Sequence, residues 1–117
     1  MHEASIADSI LRLAANKMKA TPNTASVKSV SVIVGEFRNV ETDSLQFAFN
    51  SMKSMYDGLS NCQLELESIR PRALCSKNKH SYHPSYENRY CCEKCGSGIG
   101  KIVCGEELEV VKICLLS

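Results

Sequence analysis

Cys75-Ser76-Lys77-Asn78-Lys79-His80 and, beyond a polar run, Cys91-Cys92-Glu93-Lys94-Cys95-Gly96 are the stretch on which the reading of this chain turns. From Cys75 to Cys95 lie four of its seven cysteines and two of its three histidines. Cys92, Cys95 and Gly96 make a C-x-x-C-G knuckle. That spacing brings two thiolates to one tetrahedral ion, while Gly96 and Gly98 permit the tight turn beneath them. Cys75 stands at the distance expected of the opposite arm of a zinc ribbon. The position three residues on, where a second cysteine would complete that arm, is Asn78, and an amide is a poor zinc ligand. His80 lies two residues further, within reach of the same loop. The expected zinc ligands are therefore Cys75, His80, Cys92 and Cys95, with Cys91 and His83 in reserve for the fourth place. So polar a loop cannot bury a core of its own, and a metal is a usual staple for so small a unit.

The rest of the composition sets the setting. A chain of 117 residues suits one domain, or one domain with a small insertion. The apolar fraction of 44% is ordinary, and with few aromatics and no Trp the core must be mostly aliphatic. A net charge of +1 leaves no electrostatic footprint for nucleic acid or an anionic membrane. Glu3 and Asp8 interrupt the first residues, so no signal peptide is read there, and no apolar run reaches the length of a membrane helix. A cytoplasmic location is expected, where thiols stay reduced and clustered cysteines read as metal ligands. Cys62, Cys104 and Cys114, in apolar strand-like settings, read as buried small hydrophobes.

Elsewhere the periodicity alternates between helix and strand. Ile6, Ile10, Leu13, Ala14 and Met18 recur at helical spacing from Ser5 to about Lys19, and Pro22-Asn23 ends the run. Residues 27–34 alternate as a strand that closes at Gly35-Glu36. Asp43, with Gln46 three residues on, is the expected N-cap of a second helix running to about Tyr56. Its stripe of Leu45, Ala48, Phe49, Met52 and Met55 reads as core. Residues 62–69 alternate again, with Glu65 and Glu67 on a solvated face. Leu108 to Leu116 is apolar at nearly every position and reads as a central strand. The expected fold class is α+β, a three-stranded sheet with two helices on one face, plus an inserted zinc-ribbon-like subdomain. The boundaries fall at 1–72 and 106–117 for the α+β domain and at 73–105 for the insertion.

Met1-His2-Glu3 opens the chain directly before the first helix. The Met1 α-amine, the His2 amide nitrogen and the His2 imidazole can close two fused chelate rings on one ion. Three nitrogens in one plane suit Ni(II) or Cu(II) better than zinc or magnesium. Glu3 can add its amide or carboxylate, and Glu41, in the loop after the first strand, is placed for an outer contact with the same ion.

These pieces together resemble the HypA/HybF family of hydrogenase nickel-incorporation proteins. The matching residues are Met1-His2-Glu3 with Ser5-Ile6-Ala7, then Val34-Gly35-Glu36 and Leu45-Gln46-Phe47-Ala48-Phe49. Cys75, Cys92-Glu93-Lys94-Cys95-Gly96-Ser97 and Gly105-Glu106-Glu107-Leu108 follow in the family's order. The resemblance implies a metallochaperone, not an enzyme, that carries Ni(II) as transient cargo to the [NiFe] hydrogenase large subunit precursor. It implies the maturation GTPase HypB as a partner, and urease accessory proteins as a further partner class. It makes 1–72 and 106–117 the nickel-binding domain, His2 the nickel ligand with Met1 and Glu3 adjacent, and Cys75, Cys92 and Cys95 ligands of a structural Zn(II). The family usually carries two C-x-x-C pairs, and Asn78 breaks the first of them here. Some members have a histidine where His80 falls.

The competing reading is a zinc-ribbon module that binds protein or nucleic acid and has no nickel role. Lys77, Lys79 and Arg89 lend the loop positive charge, but Glu87, Glu93, Glu106 and Glu107 lie around it. An enzyme would need an open metal position and a base. The chain has no H-E-x-x-H, nucleophile elbow or phosphate loop.

Overall fold

The computed structural model describes every residue except Met1 and Asn78. The elements run α1 (Glu3–Ala20), β1 (Ser26–Gly35), α2 (Thr42–Met52), β2 (Gln63–Ile69), β3 (Arg72–Cys75), β4 (Ser81–Tyr82), β5 (Ile99–Cys104) and β6 (Leu108–Leu116). Short 3-10 turns at Glu36–Arg38, Lys53–Met55 and Tyr86–Asn88 join them. Two three-stranded sheets result, ordered β2-β1-β6 and β4-β3-β5. The chain divides into two compact units, one of Met1–Ile33, Asn39–Glu67 and Glu109–Ser117, the other of Val34–Arg38 and Ser68–Leu108. Among the described residues no helix is long and apolar enough to cross a membrane.

The first unit is α+β, with α1 and α2 packed on each other. The helical spacing of Ala7, Ile10, Leu11, Ala14 and Ala15 makes one buried stripe on α1, and Leu45 and Phe49 supply that of α2. Val27, Val30 and Val32 of β1 and Leu64 of β2 are buried, while Glu65 and Glu67 stay exposed on the solvated face, where the Ser31 hydroxyl donates to Glu65 at 2.9 Å. Arg12 pairs with Asp8 one helical turn away at 2.7 Å, and the Tyr56 hydroxyl donates to the same carboxylate. That second donor fastens the turn after α2 to α1.

Five expectations need correction. Leu13, read on the apolar stripe of the first helix, is 49% exposed, and Leu11 takes its place in the core. The strand Leu108–Leu116 is an edge and β1 is central. A continuous apolar run marks a central strand only when both faces are covered, and here Val111 and Leu116 are 54% and 47% exposed. The second helix begins at Thr42, so Glu41, not Asp43, is its N-cap, and no side-chain cap bond forms there. Asp43 sits in the first turn, where a carboxylate still complements the helix dipole. Met55 falls in the 3-10 turn beyond the helix and is 72% exposed, off the buried stripe. Cys62 is buried, but Cys104 and Cys114 are only half-buried, since each lies in an edge strand of its sheet.

The second unit contains a sheet that the periodicity did not announce. β3 and β4 are too short for alternation to register. Ala73 pairs with Tyr82 and Leu74 with Ser81 on one side, and Leu74 pairs with Lys101 and Cys75 with Ile99 on the other. The chain enters this unit at a crossing of two glycines. A Cβ on Gly35 would lie 2.1 Å from the Gly105 carbonyl, and Gly105 itself has φ +116. The approach is sealed by the Gly35 amide donating to the Glu107 carbonyl and the Phe37 amide to the Gly105 carbonyl, both at 2.7 Å. A side chain at Gly35 would push these backbones apart, and one at Gly105 would run into Pro71, 2.7 Å away.

Phe49 is fully buried and Met55 is not. Phe49→Ala is therefore expected to cost about 3–5 kcal/mol in urea unfolding, whereas Met55→Ala should stay within about 0.5 kcal/mol of the parent. Equal losses would contradict this assignment of the core.

Candidate metal centre

The buried cluster of the second unit is small. It consists of Ala73, Cys75, Tyr82 and Cys92, with Cys95 packed against it. So few apolar groups supply little of the burial that holds larger domains together. Side-chain chemistry must make up the difference.

The four residues Cys75, His80, Cys92 and Cys95 gather here, with their ligand atoms all within 4.8 Å of one another. Cys75 ends β3. The turn after it brings His80 back, with the Cys75 amide donating to the His80 carbonyl at 3.0 Å and the His80 amide to Cys75 Sγ at 3.1 Å. The opposite arm is the knuckle. There the Gly96 amide donates to the Cys92 carbonyl at 2.7 Å and the Cys92 amide to the Ser97 carbonyl at 2.8 Å. Gly96 has φ +73, which the absence of a Cβ makes easy.

The separations test whether one ion fits. Cys75 Sγ and Cys95 Sγ are 3.6 Å apart, far beyond the ~2.05 Å of a disulfide. His80 Nδ1 lies 3.8 Å from Cys75 Sγ and 3.6 Å from Cys92 Sγ. A tetrahedral ion with metal–sulfur bonds of about 2.3 Å and metal–nitrogen bonds of about 2.0–2.1 Å has sulfur–sulfur edges of about 3.8 Å and sulfur–nitrogen edges of about 3.5 Å. These three edges are those of a single tetrahedral ion of that bond length, with Nδ1 as the imidazole donor.

Hydrogen bonds distribute charge unevenly over the sulfurs. The Ser97 hydroxyl, at 2.9 Å, and the Ser97 amide both favour the Cys95 thiolate, and they bring its pKa down to about 6. Burial pushes the Cys92 thiol up, against the pull of the Cys95 and Lys94 amides. Ser97 carries a role that the spacing of cysteines did not reveal. Its signal is positional, because the second residue past a C-x-x-C knuckle turns its amide toward the sulfur. Tyr82 lies beneath the cluster and donates its hydroxyl to the Tyr90 carbonyl at 2.7 Å.

The reserve candidates lie elsewhere. His83 Nδ1 is 2.8 Å from the Pro71 carbonyl oxygen, and the Cys91 thiol faces the Arg89 carbonyl at 3.4 Å. Neither belongs to the four-residue group.

At the start of the chain, Met1 lies outside the described residues. His2 is the exposed N-cap of α1, and its carbonyl accepts from the Ile6 amide at 3.1 Å. Its imidazole makes no cap bond. The Glu3 carboxylate accepts from the Glu41 amide at 3.1 Å. That bond, with help from Glu3's own amide, holds the carboxyl below the usual range. Glu41 thus meets the N-terminal motif through its backbone.

Comparison with known proteins identifies the family. Residues 1–115 match the family model described as hydrogenase/urease nickel incorporation, metallochaperone, hypA. The hydrogenase maturation factor HypA of Desulfatibacillum aliphaticivorans is 34% identical over 97% of this chain and 85% of its own length. The guanidine hydrolase-activating protein A of Synechocystis is 26% identical over 97% of this chain and 93% of its own. The solution structure of the nickel metallochaperone HypA from Helicobacter pylori superposes with a TM-score of 0.68 at 22% identity, covering 100% of this chain and 99% of that one. At that identity the likeness speaks for the fold alone. With the family model matched from end to end and a curated relative above 30% identity, the chain belongs to the HypA family of nickel-incorporation metallochaperones.

Proposed function

We propose that the chain carries Ni(II) at its N-terminus and hands it to the [NiFe] hydrogenase large subunit precursor in the cytoplasm, in concert with the GTPase HypB. His2 is the principal nickel ligand, with Met1 and Glu3 beside it. Residues 1–72 and 106–117 form the cargo-bearing domain, and 73–105 form an insertion that binds structural Zn(II) through Cys75, His80, Cys92 and Cys95.

The observation that carries the nickel reading is the state of His2. It caps α1 with its backbone, and its exposed side chain makes no cap bond. The first amides of a helix have no intrahelical acceptor, so an ion that takes the His2 amide nitrogen breaks no helical bond. A proton on the imidazole or the α-amine competes with the ion, which keeps the binding reversible. Acceptor ligands brought close by a partner then complete the exchange without catalysis.

Support for zinc comes from the donor set and from the edges measured above. When bound, the ion supplies a cross-link between the turn after β3 and the knuckle before β5. The protein's own contribution is to pre-shape both arms. The Cys75–His80 backbone bonds close one arm, the Gly96 and Ser97 bonds close the other, and Ser97 keeps Cys95 ionised near neutrality.

For the first site, His2→Ala is expected to weaken nickel binding by more than about a hundredfold, beyond the range seen on losing an outer-shell partner. Zinc should stay near one per chain by elemental analysis. Equal nickel affinity in the two proteins by calorimetry would leave only the zinc-ribbon reading.

For the second site, His80→Ala should lower zinc affinity in competition with a chromophoric chelator, while His83→Ala and Cys91→Ala leave it unchanged. Loss of zinc from His83→Ala in place of His80→Ala would refute the assignment. In the metal-free protein Cys95 should be the thiol alkylated fastest at pH 7, its rate falling as the pH drops through about 6. Ser97→Ala should move that midpoint upward, and an unmoved midpoint would contradict the hydrogen-bond account.

A further inference from the structure

Glu3 stands next to the nickel claw, and a carboxylate there invites assignment as a fourth ligand. Its geometry gives it other work. The carboxylate accepts the Glu41 amide at 3.1 Å, and Glu41 is the N-cap of α2. Neither helix is capped by its own N-cap side chain, since His2 and Glu41 both make no such bond. One side chain from the first residue of α1 therefore accepts the N-cap amide of α2, the donor that an N3 side chain takes in a capping box. This links two elements 38 positions apart in sequence at the point where the chain would otherwise fray.

We infer that Glu3 is a positioning residue for nickel, its carboxylate pinning the start of α1 to the start of α2 so that His2 is held in place, and not a ligand of the ion. The inference rests on the nickel reading given above. Its physical content is pre-organisation. A terminal tripeptide that must be ordered at the moment of binding has a weaker apparent affinity, in proportion to the fraction of time it is already ordered. Without the pin, the first turn of α1 is free to fray. With it, the His2 backbone is anchored on one side by the Ile6 amide and on the other through Glu3. The same bond keeps the Glu41 backbone beside the motif without requiring that its carboxylate touch the ion.

The test compares Glu3→Ala and Glu3→Gln with the parent and with His2→Ala, all zinc-loaded and free of tags. Ni(II) affinity is measured by chelator competition, the bound ion by its visible absorption and circular dichroism, and the Glu41 amide by hydrogen exchange. Glu3→Ala should raise the nickel Kd about tenfold, as expected if the ordered fraction falls to about a tenth. The bands of the bound ion should not shift, and the Glu41 amide should exchange faster. Glu3→Gln keeps an acceptor oxygen and should restore most of the affinity and the slow exchange. Unchanged affinity in Glu3→Ala overturns the inference. So does a shifted spectrum common to both Glu3 variants, which would make the carboxylate a ligand, and so does failure of Glu3→Gln to recover affinity. Wild-type nickel binding in His2→Ala would overturn the nickel reading itself, and this inference with it, whereas the other adverse results overturn the inference alone.

Discussion

Three thiols and one imidazole meet within a few ångströms in a unit that has almost no hydrophobic core, and the rest of that unit depends on their meeting. The sheet β4-β3-β5 is short and irregular, with register shifts between Arg72 and Ala73 and between Leu74 and Cys75. Such a sheet does not hold itself together by burial alone. The backbone bonds of the two arms orient the four side chains in advance, and an ion at their centre would complete what packing leaves undone. Within the same unit Gly35 passes so close to the Gly105 backbone that a Cβ would not fit.

The other unit follows an opposite economy. It is held by aliphatic packing of α1, α2 and β1, and the proposed cargo site sits on the exposed first turn of α1. A cargo site of that kind must be accessible and yet ordered. In the inferred arrangement the Glu3–Glu41 bond reconciles these demands, because it tethers the backbone without engaging the imidazole of His2. Under the proposed division of labour the first site gives up its ion and the second keeps its own. The proposed ligand sets differ in the same sense, nitrogen donors open to competing protons against sulfur donors of which Cys75 and Cys92 are buried.

Much of the first unit was legible because its signals are long. Ile6, Ile10 and Ala14 at helical spacing, and Val30 and Val32 at strand spacing, declare buried faces over many residues. The strand β6 misled because an apolar run does not say whether a second face is covered. Asp43 misled because a plausible cap residue stood two positions past the true N-cap, whose amide is satisfied from Glu3 far away in sequence. Strands β3 and β4 were invisible, being too short to show a period. Ligand spacing and donor chemistry pointed to the four residues that the structure gathers, including His80 in place of the asparagine. Ser97 and the carboxylate contact of Glu3 were not legible, since both depend on which way a backbone amide points.

X-ray absorption at the nickel and zinc edges of the doubly loaded protein tests the two-site proposal most directly. The expected nickel spectrum shows a planar shell of nitrogen and oxygen donors without sulfur, and the expected zinc spectrum shows three sulfurs and one nitrogen. Sulfur around nickel, or a zinc shell of four sulfurs, would contradict it.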